Sequence, residues 1–158
     1  MGYVPETRDV FGHLTVQENL RMGEQGPRAG FAEYWNIHET YRRFPLLQAR
    51  KNTPAGVLSG GEQQLLSLAR TLMGQPRCLL LDEPLEGLSP HMVDAIEQCI
   101  RFLKTQGVAL VWVEQKLAVL PRDTVDRTVV LGQGAVVFDG PATDLAASQS
   151  IRKQWLEV

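Results

Sequence analysis

The sequence has 158 residues, of which 16 are Lys or Arg and 18 are Asp or Glu, giving a formal net charge of −2 at pH 7. This balance, without long blocks of one sign, argues against a nucleic-acid partner, and the apolar runs are far shorter than the roughly 18 residues of a membrane-spanning helix. The length suits a single cytosolic domain, and the spacing of the two cysteines, Cys78 and Cys99, indicates neither a disulfide framework nor a zinc site.

The front of the chain, residues 1–57, is expected to form an extended segment followed by a small helical layer. Pro5 interrupts the extended pattern, and Thr15 is suited to open the first helix. The predicted elements of this part are an extended segment over residues 2–11, a helix over 15–22, a loop over 23–30 and a helix over 31–44.

The rear of the chain, residues 58–158, predicts an α/β fold. Two continuous apolar runs joined by one helix are typical of a right-handed βαβ unit whose parallel sheet is buried on both faces. Ser89 and Pro90 are suited to begin the connecting helix. The predicted elements are a helix over residues 59–74, strands over 78–81 and 108–113, a helix over 89–106, a hairpin with strands 128–131 and 135–138, and a helix from 148 toward 155.

The helix that begins at Ser59 opens with two glycines, Gly60 and Gly61. Backbone N–H groups in a first turn lack intrahelical partners and lie at the positive end of the helix dipole, so such an end attracts phosphate. Glycines would let a phosphate approach the backbone closely. The same residues have an alternative interpretation, because Ser59 and Glu62 also match a capping box that only stabilises the helix.

Acidic side chains follow the first apolar run of the rear part. Asp82 and Glu83 come at the carboxyl end of that strand, where open α/β sheets bind ligands. In a nucleotide site, Asp82 could hold Mg²⁺ and Glu83 could orient or deprotonate an attacking water. Gln115 follows the second strand and would emerge at the same edge if the two strands are parallel neighbours. A solvated end of the strand is the alternative interpretation.

Four motifs in one order, LSGGEQQ, LLLDEP, EGLSP and VEQ, resemble the ATP-binding subunit of ABC transporters. In that family, residues 59–63 resemble the signature motif, residues 78–83 the Walker B strand and residues 86–90 the D-loop. The opening GYVPE resembles the Q-loop region. The resemblance covers nearly the whole chain and is closest to the subunits that energise uptake of branched-chain amino acids and related amides.

The resemblance implies a partial P-loop NTPase fold, the ABC cassette, with parallel strands, a helical subdomain and a C-terminal β-hairpin. Its implied cofactors are ATP and Mg²⁺, and its implied partners are a second ATP-binding subunit, membrane permease subunits and, indirectly, a periplasmic solute-binding protein. The chain would then lie on the cytoplasmic face of the plasma membrane. The implied site residues are Glu83 and Gln115 for catalysis, Ser59, Gly60, Gly61 and Gln63 for the nucleotide, and Asp82 and Glu6 for the metal.

Three positions depart from the usual family pattern. Glu6 stands where most members have the Q-loop glutamine, Ser89 where most have the D-loop aspartate, and Gln115 where most have the switch histidine. Glutamine cannot become cationic, so Gln115 would act by neutral hydrogen bonding. This leaves Glu83 as the expected base.

The sequence contains no Gly-x-x-x-x-Gly-Lys-Ser/Thr loop, which in the family precedes the Q-loop and cradles the phosphates. Losing about three charge-assisted hydrogen bonds of about 1.5–3 kcal/mol each would weaken ATP binding a thousandfold or more. The chain is therefore expected to be the rear part of a cassette, with an exposed sheet edge that promotes association. Two alternatives are an inert truncated cassette that only folds or pairs, and a DNA-maintenance ATPase of the same superfamily.

Overall fold

The structure is a computed structural model that describes residues 1–26, 35–115 and 124–156. The chain forms two units, and three parallel strands form the sheet of the first one, Met1–Val113. The strands are β1 (Gly2–Val4), β2 (Cys78–Asp82) and β3 (Ala109–Val113), with β2 in the middle. The helices of this unit are α1 (Val16–Gly23), α2 (Ile37–Arg43), α3 (Pro45–Ala49), α4 (Gly60–Met73) and α5 (Pro90–Thr105), with a short 3-10 turn at Ala55–Val57.

The register of the sheet aligns Tyr3 with Leu80 and Leu80 with Val111. The connection from β2 through α5 to the parallel β3 confirms the predicted βαβ order. The prediction of a sheet buried on both faces is wrong, because Tyr3, Val111 and Val113 remain 50–54% exposed. The helices cover the opposite face, where Leu79 and the other inward residues of β1 and β2 are buried.

The extended segment at the front is shorter than predicted. Pairing in β1 ends at Val4, because Pro5 has no N–H to donate to a neighbouring strand. Helix α1 follows as expected, with Thr15 as its N-cap in a capping box with Glu18. The loop between β1 and α1 therefore lies free of the sheet and carries Glu6 toward the carboxyl edge of the strands.

Helix α2 occupies only part of the helix predicted over residues 31–44, whose residues 31–34 lie outside the described part of the chain. Asn36 caps its start by accepting a hydrogen bond from the Glu39 N–H, at 2.9 Å. Phe44 ends it, because a residue that precedes a proline avoids the helical region. Pro45 then begins the short helix α3, which the periodicity of the sequence does not predict.

Helix α4 is the centre of the first unit. Its predicted apolar stripe is buried, and the helix packs against α1, α3 and β1. The stripe consists of Leu65, Leu68, Ala69 and Leu72. Full burial of each of these leucines is worth about 1.5–3 kcal/mol relative to exposure, so this packing fixes the position of the helix and of its N-terminus.

The second unit, Glu114–Val158, contains a β-hairpin and two short helices. The hairpin joins β4 (Thr128–Gly132) to β5 (Ala135–Gly140) through Gln133 and Gly134, both at positive φ, as a two-residue type I′ turn requires. The hairpin and the last helix, α7 (Gln149–Trp155), agree with the prediction. Helix α6 (Ala142–Ala147) was not predicted.

Neither cysteine forms a disulfide. Cys99 is fully buried and Cys78 is half-buried. Within the ranges that the structure describes, no helix is both long enough and apolar enough to cross a bilayer.

Candidate functional site

Two loops at the carboxyl ends of β1 and β2 bring Glu6 and Glu83 together. The Glu83 N–H donates to the Val113 carbonyl at 3.1 Å, so pairing between β2 and β3 continues one residue beyond β2. Glu83 then turns the chain with φ +45°, a left-handed conformation that costs a non-glycine residue about 1–2 kcal/mol. Arg8, in the loop after β1, has φ +56°. Backbone strain of this kind concentrates at functional sites.

These loops and helix α4 line a cleft of about 430 Å³. Its lining is polar and charged: Glu6, Thr7, Arg8, Gln64, Glu83 and Glu86. Three carboxylates and one guanidinium give this lining a formal charge of −3 + 1 = −2. A cleft with this lining favours a cation or a cation-bound anion over a bare anion.

The carboxylates of Glu6, Glu83 and Glu86 offer oxygens that all lie within 4.8 Å of one another. Such a group fits a hard divalent cation such as Mg²⁺, whose preferred ligands are carboxylate oxygens. Asp82 is not in this group. Its Oδ2 accepts a hydrogen bond from the Tyr3 hydroxyl at 3.0 Å, and this contact raises the pKa of Tyr3.

The N-terminus of α4 adopts the predicted capping box. The Ser59 hydroxyl accepts the Glu62 N–H at 3.3 Å, and the Glu62 carboxylate accepts the Ser59 N–H at 2.7 Å. Glu62 also lies 3.6 Å from the Arg50 guanidinium. The stabilising role proposed for Ser59 is therefore confirmed, and its contact with phosphate stays a prediction.

Arg8 links the start of α4 to the loop after β2. Its guanidinium donates to the Glu86 carbonyl at 3.3 Å, and a Cβ added at Gly87 would lie 3.2 Å from it. A Cβ added at Gly60 would overlap the Arg8 guanidinium. Both glycines thus permit a close approach of a cationic side chain to the backbone.

The neighbouring signature residues make contacts of their own. A Cβ at Gly61 would lie 2.5 Å from the Met92 sulfur, so this glycine allows α4 to pack against α5. The Gln63 amide donates to the Ala55 carbonyl at 3.1 Å. That contact anchors the side chain to the segment before the helix, and the binding of nucleotide by Gln63 stays a prediction.

Gln115 belongs to the second unit, Glu114–Val158, and is exposed. It follows Val113, the last residue of β3, by two positions. Its predicted role beside Glu83 stays a prediction.

Four residues of the cleft were not predicted as site residues: Thr7, Arg8, Gln64 and Glu86. Glu86 could have been found from its place three residues after Glu83, since a turn returns such a residue to the same edge. Nothing in the sequence indicated that Gln64 belongs to the cleft, because it lies within the regular helical pattern of α4. In the structure the residue is only 2% exposed.

Comparison with known proteins identifies a family. The profile described as ABC transporter matches residues 1–86. The branched-chain amino acid transport ATP-binding protein BraG of Pseudomonas aeruginosa is 39% identical over 154 residues, which cover 97% of this chain and 65% of BraG. The probable branched-chain amino acid transport ATP-binding protein LivF of Archaeoglobus fulgidus is 31% identical, over 97% of this chain and 64% of LivF. The chain thus spans less than two thirds of these relatives.

A solved structure supports the fold. The crystal structure of a nucleotide-free ATP-binding cassette from an ABC transporter superimposes with a TM-score of 0.72 at 22% sequence identity. The match covers 99% of this chain and 67% of that one. The predicted fold class, an α/β ABC cassette fold with parallel strands, is therefore confirmed.

Proposed function

Because the chain belongs to the ABC transporter family, we propose that it contributes to the ATP-binding and ATP-hydrolysing subunit of an importer of branched-chain amino acids or related small amides. The family match and the similarity to BraG over 97% of the chain support this proposal. The observation that carries the catalytic part is the position of Glu83, at the carboxyl edge of the sheet in a cleft that borders the N-terminus of α4.

In this proposal Glu83 is the general base. Its carboxylate orients a water molecule for attack on the terminal phosphate of ATP and accepts the proton that the water releases. Gln115 donates an amide hydrogen bond to the same phosphate. When ATP is bound, Asp82 and Glu6 would hold Mg²⁺, and the ion would offset the negative charge of the phosphates.

The start of α4 acts toward a second ATP-binding subunit. Ser59 and the N–H groups of Gly60 and Gly61 contact the terminal phosphate of the ATP that the second subunit holds, with Gln63 beside them. The fixed packing of α4 supports this role, since a donor that is already positioned costs no reorganisation when the ligand binds. Permease subunits would hold the pair at the cytoplasmic face of the membrane and connect it to a solute-binding protein.

A second candidate function is an inert pairing partner. In this function the chain pairs with an intact subunit and does not hydrolyse ATP itself. The two functions differ in whether the Glu83 carboxylate is needed.

An uptake experiment in the organism that carries the gene separates the two functions. The gene is deleted, and uptake of radiolabelled leucine, isoleucine and valine is measured after complementation with the original gene, with Glu83→Gln or with Glu24→Gln. Glu24 is exposed and does not line the cleft, so its substitution removes the same charge as a matched control. We expect the original chain and Glu24→Gln to restore uptake and Glu83→Gln to lower it at least 100-fold.

Equal restoration by Glu83→Gln and by the original chain would refute the catalytic role and favour the inert pairing partner. Uptake that deletion leaves unchanged would refute the proposed substrates. Immunoblots of each variant check that the chains accumulate to the same level.

A further inference from the structure

We propose that Glu6, Glu83 and Glu86, together with the amide oxygen of Gln64, form a site for one hard divalent cation that binds without nucleotide. The site differs from the predicted metal pair of Asp82 and Glu6, because it uses Glu86 and Gln64 and leaves Asp82 out. It does not rest on the proposed function, since it requires neither ATP nor a second subunit.

The distances suit one ion. Oxygen ligands lie about 2.0–2.1 Å from Mg²⁺ and 2.3–2.6 Å from Ca²⁺, so two ligands on opposite sides of one ion are about 4–5 Å apart. The oxygens offered by Glu6, Glu83 and Glu86 all lie within 4.8 Å of one another. A single cation can therefore reach all three carboxylates without a large movement of the loops.

Gln64 supplies independent evidence for a ligand. Gln64 is only 2% exposed, and it lines the same cleft as the three glutamates. In the described part of the chain, neither Oε1 nor Nε2 has a hydrogen-bond partner. A buried amide without partners is unfavourable, and such a group in a native protein needs an explanation. A cation bound through Oε1, directly or through a water molecule, supplies one for the oxygen.

The charge of the lining favours the same occupant. Three carboxylates and the Arg8 guanidinium leave a formal charge of −2, which one divalent ion neutralises. Arg8 donates to the Glu86 carbonyl, and this contact holds the backbone of the loop that carries the Glu86 carboxylate. The guanidinium thus positions one ligand of the proposed site.

The donor atoms determine the class of metal. The group consists of carboxylates and an amide, and no cysteine or histidine of the described residues belongs to it. Oxygen donors alone favour Mg²⁺, Mn²⁺ or Ca²⁺ over the ions that prefer sulfur or imidazole. Mn²⁺ is the practical probe, because it is paramagnetic and accepts the same ligands as Mg²⁺.

The test titrates the purified chain with Mn²⁺ in the absence of nucleotide and follows free Mn²⁺ by electron paramagnetic resonance. We expect one saturable site per chain that Mg²⁺ displaces. Glu86→Gln should weaken binding at least tenfold, since affinity depends on the number of charged ligands. Gln64→Leu keeps the buried volume and should weaken binding about threefold to tenfold, while the matched charge control Glu24→Gln should stay within about twofold.

Asp82→Asn distinguishes this site from the pair predicted from the sequence. The proposal expects Mn²⁺ affinity within about twofold of the original chain, since Asp82 contacts Tyr3 rather than the carboxylate group. A loss of binding in Asp82→Asn with none in Glu86→Gln would overturn the proposal. So would an absence of saturable binding, or equal weakening by Glu86→Gln and Glu24→Gln, which would indicate only diffuse attraction to negative charge. Circular dichroism spectra confirm that each compared variant is folded.

Discussion

Substituting Gly23 by alanine should destabilise the first unit through the contact between α1 and α4. A Cβ at Gly23 would overlap the Arg70 carbonyl oxygen and lie 3.0 Å from both the carbonyl carbon and Cγ of Arg70. Carbon atoms pack at about 3.5–4.0 Å, so the two carbon contacts alone require the helices to separate by about 0.5–1 Å, and the overlap with the oxygen requires more. The obstacle is backbone of a central helix, which cannot move aside by a change of rotamer.

The magnitude follows from two opposing contributions. Overpacking in a tight interior costs about 1–3 kcal/mol and occasionally more, while replacing glycine by alanine within a helix gains about 0.5–1 kcal/mol. We therefore expect a net loss of about 2 kcal/mol. With an unfolding entropy of about 2.1 cal/mol/K per residue, the 113 residues of Met1–Val113 should lose about 8 °C in Tm.

Gly26→Ala is the matched control, because among the described residues, its chain neighbours apart, no heavy atom lies within 4 Å of a Cβ at that position. Thermal unfolding followed by circular dichroism should show a lowered Tm for Gly23→Ala and no loss for Gly26→Ala. Arg70 also donates to the Asp9 carbonyl and lies 4.7 Å over the Phe11 ring, so a shifted α4 disturbs the loop after β1. Equal Tm values for Gly23→Ala and the original chain would refute the close contact between the two helices.

Burial raises the pKa of the Cys99 thiol to about 12. At pH 8, Ellman's reagent should therefore detect at most the half-buried Cys78 in the native chain and both thiols in guanidinium chloride. Two rapidly reacting thiols in the native chain would contradict the burial of Cys99. The Arg42 guanidinium, assisted by Arg43, lowers the pKa of Glu39 below its ordinary 4.5. A carboxyl group whose pKa is lowered in the folded state stabilises the fold at pH values above its pKa in the unfolded chain, and this stabilisation is lost as the pH falls through the pKa of the folded state. Glu39→Gln should therefore flatten the pH dependence of the free energy of unfolding, measured by urea denaturation below about pH 4.5. An unchanged slope in Glu39→Gln would show that Glu39 makes no such contribution.

The sequence predicted the elements whose signals are local. The helix start at Thr15, the capping box at Ser59, the apolar stripe of α4 and the hairpin each depend on residues that lie close together in the sequence. The start of α2 was misplaced, because the apolar pattern of residues 31–44 continues across Asn36, whose capping role depends on its side-chain conformation. The exposed face of the sheet was also missed, since a continuous apolar run does not tell which of its two faces will be covered.

Asp82 and Glu83 were predicted from their place in the sequence and Glu6 from the family resemblance, whereas Gln64 and Glu86, which folding brings to the cleft, were missed. Asp82 and Glu83 could be placed at the edge of the sheet from their position after a strand. The joining of Glu6 to Glu83 and Glu86 depends on the order β1-β2-β3 and on two left-handed backbone turns, neither of which leaves a periodic signal. Asp82 lies outside this group, and its Oδ2 contacts the Tyr3 hydroxyl.

The charges of the cleft explain why a cation and a phosphate would need each other there. The oxygens that Glu6, Glu83 and Glu86 offer lie within 4.8 Å of one another, a distance at which two unit negative charges repel by about 1 kcal/mol in water and about 3.5 kcal/mol at an effective dielectric constant of 20, so the three carboxylates oppose one another and a bare anion among them. Arg8, next to Gly60, and the N-terminus of α4 attract the same anion. A divalent ion on the glutamates removes the repulsion without weakening this attraction. The cleft is thus suited to a metal-bound phosphate and would disfavour a phosphate without metal.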